Sequence, residues 1–472
     1  MVGMKKLLIL LAWLLIFSFV YLAHPHLSYA FSDPLSVPNN KYGIHILDPN
    51  DIPDAQALVN SSGGDWGYVT MVIRSDERNL THWQEVFNRL RRAHLIPIIR
   101  LATKQQEDGW EKFAQEDIDN WVFFLNSLNW VVENRYIIIG NEPNHAAEWG
   151  GEVNPTEYAN ILCDFSQKLK AASNDFFVLP AGLDASAPDK KGYMSEEAFI
   201  TQMYSTKNFT ECIDGWTSHS YPNPDFSASE YNQGKGSVKT YIWEQQYLKS
   251  LGITKNLPVF ITETGWVHGD GNTEDISNKF INTFTKVWTE DNIVAITPFV
   301  LNYQEPLFKN FSWKDSKGGF YPFYFAIQAL PKTKGEPMQL NEGEIVFTII
   351  PNFASEEAQV KGMILIKNKG QAIWNNDTKI IVDTSDGTLT QNSVAVEIEP
   401  TKSHWQSTTF KLPLSEGPIR GKIYLQQGGM KVSRDYNFEV LTFKQDSSLT
   451  DYLIQIKNYI SGWISQKLQG MK

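Results

Sequence analysis

Two short apolar runs in this chain each deliver a glutamate. The first is Tyr136-Ile-Ile-Ile-Gly-Asn-Glu142-Pro-Asn, and about 120 residues later comes Leu257-Pro-Val-Phe-Ile-Thr-Glu263-Thr-Gly-Trp. Both read as buried strands that carry a carboxyl group at the carboxyl end. Two carboxyls stationed around one sugar are the apparatus of glycosidic bond hydrolysis: one gives a proton to the leaving oxygen, and the other attacks the anomeric carbon or activates water. A gap of about 5–5.5 Å between them means double displacement with retention, and one of about 6.5–9.5 Å means inversion by water. An Asn-Glu-Pro run by itself is a turn or helix-start feature. Its weight here comes from the second glutamate, on a second strand.

The elements that must position this pair are legible as an alternation of apolar strands and amphipathic helices from about residue 40. Candidate strands are Tyr42–Leu47, Tyr68–Arg74, Leu95–Leu101, Tyr136–Gly140, Phe176–Gly182, Gly215–His219, Pro258–Thr262 and Val294–Val300. Between them lie helical stripes such as Trp83, Val86, Phe87 and Leu90, or Ile118, Trp121, Leu125 and Leu128. Eight such units over residues 40–330 predict a (β/α)8 TIM barrel, with Glu142 ending the fourth strand and Glu263 the seventh, both at the face where barrel enzymes carry their chemistry. A doubly wound open sheet gives the same alternation, but no Gly-x-Gly-x-x-Gly follows the first strand and no Gly-Lys-Ser/Thr phosphate loop is present.

Asn141-Glu142-Pro143-Asn144 together with Ile261-Thr-Glu263-Thr-Gly-Trp266 resembles the clan A retaining glycoside hydrolases, a group that includes families 5 and 39, over about residues 40–330. The trailing strand-rich region and the Asn-Glu-Pro-Asn run are nearest family 39. The resemblance implies a hydrolase of β-linked poly- or oligosaccharides in which Glu142 is the general acid/base, Glu263 the nucleophile and Asn141 a partner of the sugar 2-hydroxyl. It also implies that Tyr221, in His219-Ser-Tyr221 at the end of the sixth strand, sets its hydroxyl against the nucleophile, and that Arg74, after the second strand, steadies the same carboxylate. Arg100, ending the third strand, is a rival for a role in the site. Trp149 and Trp266, in the loops after the two glutamates, are placed to stack on sugar rings. His45 and Asp184 fall at the same face without a specific role. On the eighth strand, where many clan members put a tryptophan platform, this chain has Phe299 and Tyr303, with Trp313 later, so the floor of the site is unassigned. Transglycosylation from the same intermediate, and a carbohydrate-binding barrel without turnover, are the competing readings.

Composition narrows the partners. The formal charge is 42 − 53 = −11, which disfavours phosphate backbones, so nucleic acid is not expected. The nine histidines and two cysteines show no metal-ligand spacing, and the carboxyl-pair chemistry requires neither metal nor cofactor. Cys163 and Cys212 are compatible with one disulfide or two thiols. Lys5 and Lys6 precede the apolar run Leu7–Ala23, and Ser28-Tyr-Ala30 follows with small residues at the positions a signal peptidase reads. Residues 1–30 are therefore expected to be a signal peptide, or an uncleaved membrane anchor, with the bulk of the chain exported in either case. After the breaker-rich linker Pro331–Pro337, residues 338–445 read as an antiparallel β-sandwich without a cluster of exposed aromatics. Residues 448–468 place Leu449, Tyr452, Leu453, Ile456, Tyr459, Ile460, Trp463, Ile464 and Leu468 on one stripe. They are expected to form an amphipathic helix, packed on a domain or lying on a membrane.

Overall fold

The structure, a computed structural model, describes residues 32–206, 209–269 and 271–444, together with residues 450, 453, 454, 456, 457, 459 and 461. The expected signal or anchor in residues 1–30 lies outside the described residues. Among those residues no helix is long and apolar enough to cross a membrane.

Eight strand and helix units follow one another as the hydrophobic pattern predicts. The strands are β1 (Gly43–His45), β2 (Gly67–Arg74), β3 (Leu95–Ala102), β4 (Arg135–Ile139), β5 (Phe176–Pro180), β6 (Trp216–His219), β7 (Val259–Glu263) and β8 (Ile293–Ile296). The helices that follow them are α1 (Ile52–Val59), α2 (Leu80–Arg92), α3 (Ile118–Ser127), α4 (Pro155–Ala172), α5 (Glu196–Tyr204), α6 (Thr240–Ser250), α7 (Thr273–Asn282) and α8 (Pro322–Gln328). Strands β1 to β5 form one parallel ladder and β6 to β8 another. Parallel bridges from Asp184 to His219 and from Tyr42 to Ile296 close the ring. This is the closed (β/α)8 barrel rather than an open sheet.

The interior is filled by rings. Tyr136 of β4 packs on Phe177 of β5 and Phe260 of β7 at centroid distances of 5.2 and 5.3 Å, and on Tyr68 of β2 at 6.2 Å. All four are buried, so the barrel is a packed core and the opening lies above it at the carboxyl ends of the strands. Cys163 on α4 and Cys212 form a disulfide with Cα atoms 4.9 Å apart, inside the range a bridge tolerates.

The second layer pair starts after the linker. One sheet orders β9 (Gly343–Ile349), β11 (Gln359–Asn368) and β14 (Ser403–Lys411). The other orders β10 (Phe353–Ser355), β16 (Tyr436–Phe443), β15 (Gly417–Gln427), β12 (Thr378–Thr384) and β13 (Leu389–Ser393). Ile364, Ile366, Trp374, Ile380, Val382, Ile423 and Leu425 fill the space between them. Pairing is antiparallel except for β10 with β16. The alternating segment Val394–Ile398, whose pattern predicts a strand, is instead a loop. Val394 still points inward and Ile398 bridges Trp374, so the apolar alternation reflects burial without ladder pairing. The expectation of no exposed aromatic cluster is also corrected: Phe347 and Trp405 lie on the outer face of the three-stranded sheet with ring centroids 6.2 Å apart, beside exposed Ile349 and Met363. In the last segment the described residues between 450 and 461 are helical, and the Tyr459 hydroxyl donates to Glu439 of β16.

Candidate active site

The chain leaves β4 through Gly140, whose φ of 83° only glycine adopts freely, and reaches Glu142 at φ 31°. A non-glycine residue in that region is held there by its surroundings. The Glu142 N–H donates to the Gly182 carbonyl at 3.1 Å, and the Glu142 carbonyl accepts from the His145 N–H at 2.8 Å. Asn144 ties the next loop down by donating to the Asp184 and Met194 carbonyls. Gly182 is required for a second reason: a Cβ there would lie 2.2 Å from Cδ2 of His219, the ring that reaches Glu142. The Nδ1 of His219 is 2.8 Å from Glu142 Oε1 and 3.8 Å from Glu263 Oε2. Burial pulls the His219 pKa down, but the Glu263 charge and the bond to Glu142 outweigh it and leave it raised.

Glu263 ends β7 and is buried. Arg100 Nη1 donates to its Oε1 at 2.9 Å and the Tyr221 hydroxyl to its Oε2 at 3.1 Å. Burial alone would raise this carboxyl, yet the charges of His219 and Arg100 hold it below its ordinary value. Burial, then the charges of Glu263 and Glu142, push the Tyr221 phenol well above its usual range, so it remains a donor. The same Arg100 nitrogen also donates to Asn141 Oδ1.

The ligand-type atoms of Glu142, His219 and Glu263 all lie within 4.8 Å of one another. Such a cluster has the donor types of a metal centre. Here, however, the carboxylate oxygens already face Arg100, Tyr221 and His219, and a guanidinium 2.9 Å from Glu263 opposes a second cation. Around the pair opens a cavity of 320 Å³ with two unlike walls. Phe226, Phe299, Phe308 and Phe311 make the apolar one, while His145, Glu148, Asp184 and Ser186 make the polar one. His145 Nε2 is 2.8 Å from Asp184 Oδ2.

Of the residues expected from sequence, Asn141, Glu142, Tyr221 and Glu263 line this cavity, and His219 lies beneath it bonded to Glu142. Arg74 is a correction. It ion-pairs with Asp76 at 3.2 Å and Glu77 at 2.7 Å, and the guanidinium on Glu263 belongs to Arg100. Register gives the reason: Val72 of β2 stands level with Arg100 on β3, and Arg74 stands beyond it, level with Ala102. Trp149 and Trp266 are corrections too. Trp149 is 1% exposed, bonded to Glu157 and packed on Tyr158, while Trp266 is 3% exposed, bonded to the Ala228 carbonyl and packed on Phe280. Each adjoins its glutamate in sequence but turns into the loop core. Trp313 is core as well, whereas Trp110, from a small hairpin after β3, lines the cavity. His45 is buried below the site, and burial followed by the Arg100 charge lowers it to about 3, so it is neutral. Sequence reasoning passed over Glu148; its place six residues after Glu142 was the only signal available.

No family model matches this chain, and no curated protein matches it. In backbone it is similar to an endo-β-1,3-glucanase from Sorangium cellulosum (13% identity, 62% of this chain and 98% of that one, TM-score 0.40). It is similar also to a β-mannanase from Thermomonospora fusca (13% identity, 62% and 91%, TM-score 0.41) and to a family 51 α-L-arabinofuranosidase from Bifidobacterium longum (11% identity, 81% and 96%, TM-score 0.42).

Proposed function

We propose that this chain is a retaining glycoside hydrolase acting on β-linked poly- or oligosaccharide. The observation that carries the reading is the unequal environment of two carboxyls whose nearest atoms fall within 4.8 Å. That spacing suits direct attack on the anomeric carbon and is too small for a water between carboxyl and sugar. Glu263, fixed by Arg100 and Tyr221 and kept ionised by His219 and Arg100, has the properties of the nucleophile. Glu142, 20% exposed at its side chain and facing the cavity, has those of the group that protonates the leaving oxygen and then activates water. Asn141, beside both, is in place for a sugar hydroxyl. The phenylalanines of the lining offer apolar faces to a ring and its polar residues offer hydroxyl partners, the combination expected of a carbohydrate cleft.

Export is part of the proposal. It is supported by the Lys5-Lys6 and Leu7–Ala23 pattern and by the Cys163–Cys212 disulfide, a bond that persists in oxidising compartments. The test is sugar release by residues 31–472 from a panel of aryl glycosides and polysaccharides, alongside Glu142→Gln and Glu263→Gln. Turnover by the wild type should fall by about 10³-fold or more in Glu263→Gln. Glycan binding that is equal in all three proteins, without turnover in any, would establish a binding barrel instead.

A further inference from the structure

The two carboxyls are met by different loops, and the loops differ in chemistry. Tyr221, which donates to Glu263, packs T-shaped against Phe226 and Phe311 at centroid distances of 5.1 and 5.7 Å. Aromatic side chains from the loops after β6 and β8 thus gather at Glu263. Around Glu142 the loops are those after β3, β4 and β5. The His145 N–H donates to the Glu142 carbonyl, and the Glu142 N–H to the Gly182 carbonyl. Asn144 is bonded to Asp184 in both directions: its amide nitrogen donates to the Asp184 carbonyl at 2.9 Å, and its Oδ1 accepts from the Asp184 N–H at 3.2 Å. These bonds make one unit of Glu142, His145 and Asp184. Within it His145 Nε2 is 2.8 Å from Asp184 Oδ2, and Asp184 Oδ1 accepts from the Ser186 N–H at 2.8 Å. A carboxylate only accepts, so Nε2 is the donor to Asp184 and Nδ1 remains for another partner.

The small hairpin after β3 joins the same unit. The Gly150 N–H donates to the Trp110 carbonyl at 2.9 Å. A Cβ on Gly109 would lie 2.2 Å from the Ala147 carbonyl oxygen, so the hairpin is in close backbone contact with the turn that follows Glu142. Trp110 is therefore anchored through its backbone beside Glu142. Its side chain lines the cavity and is partly exposed, whereas Trp149 and Trp266 are enclosed.

On the double-displacement reading the acid/base stands at the glycosidic oxygen, and that oxygen departs with the leaving group. Side chains grouped with Glu142 are accordingly the ones that meet the leaving group. We propose that Trp110 and the His145–Asp184 pair form a binding site for a leaving-group sugar, with the indole supplying a ring face and His145 Nδ1 a hydroxyl partner. The assignment rests on the glycosidase reading and extends it from the bond that breaks to the sugar that leaves. The same site receives an acceptor sugar in the second step. There the acceptor hydroxyl gives its proton to Glu142 as its oxygen bonds to the anomeric carbon, and the bond from that carbon to Glu263 breaks to release the carboxylate.

The experiment compares wild type, Trp110→Ala, Trp110→Phe and His145→Ala on two substrates with one glycone: the panel oligosaccharide that the wild type cleaves, and the corresponding glycosyl fluoride, whose leaving group is an ion. In Trp110→Ala and His145→Ala, kcat/KM on the oligosaccharide is expected to fall about 10- to 100-fold, and on the fluoride to stay within about threefold. Trp110→Phe, which keeps a ring face, is expected to recover most of the loss. With the fluoride and an added sugar acceptor, the ratio of transfer to hydrolysis is expected to fall in Trp110→Ala. Equal losses on both substrates, or wild-type values on both, would overturn the leaving-group site, while loss of oligosaccharide cleavage in Glu263→Gln would still uphold the glycosidase. A wild type that turns over neither substrate would overturn both.

Discussion

At the scale of residues, Arg100 has the clearest consequence. It touches Glu263 and Asn141 at once, and its charge is one of the two main reasons that Glu263 is held ionised. A carboxyl lowered in the folded protein stays charged below the ordinary carboxylate range, and on the proposed mechanism the nucleophile stays competent there. Activity is lost only as pH falls through the lowered value. Arg100→Gln removes that influence, so the acid limb of kcat/KM should move to higher pH, and kcat should drop about 10²-fold or more. Arg74→Gln, which breaks only an exposed pairing with Asp76 and Glu77, should leave both unchanged. The reverse result would restore the sequence-based assignment. Glu142 and Glu263 were legible because each follows an unbroken apolar strand, a local property of the chain. Which arginine reaches Glu263 was not, since both arginines end strands of similar pattern and the choice depends on a two-residue register between β2 and β3. Trp149 and Trp266 failed for a related reason: nearness in sequence to a catalytic carboxyl does not say which way a loop side chain turns.

At the scale of elements, β6 delivers His219 and Tyr221 to the site and is backed by a second carboxyl pair that takes no part in the chemistry. Glu196 on α5 and Glu244 on α6 are both fully buried, and none of their four oxygens has a well-aligned hydrogen bond. Burial raises both pKa values, and the Glu244 charge raises Glu196 further. An acid whose folded pKa lies above its unfolded value takes up protons on folding. Stability is therefore greatest at or below the unfolded value and declines as pH rises from there toward the raised folded value. Glu196→Gln removes one titrating group and should raise Tm at pH 8 by roughly 2–4 °C, with no gain at pH 4. A lower Tm at pH 8 would show that the shared charge stabilises the α5, α6 and β6 packing. The eight barrel strands were legible from their continuous apolar runs, with ends differing by a few residues. Neither this carboxyl pair nor the loop at Val394–Ile398 was, because an acidic residue on a helix looks solvent-facing and an alternating segment looks paired until the neighbouring elements are in place.

At the scale of the whole molecule, the order of barrel, linker and sandwich could be read from a change in periodicity after Leu330, but the way the two are joined could not. Gln371, 4% exposed, donates to the Val132 carbonyl and accepts from the Leu340 N–H, Asn129 donates to the Gly370 carbonyl, and Arg92 pairs with Glu399. These contacts tie one edge of the sandwich to the loop before β4 and to α2, at the amino-terminal end of the strands. The sandwich therefore braces the barrel from the face opposite the cleft. On the proposed function, the −11 charge and the carboxyls around the cavity suit neutral or cationic glycans better than polyanionic ones. On the proposed mechanism, attack by Glu263 followed by water gives one stereochemical outcome. The most direct measurement is proton NMR of the first-formed sugar product, recorded before mutarotation, with residues 31–472 and the best panel substrate. The account predicts release with the anomeric configuration of the substrate retained; release with inversion would contradict it.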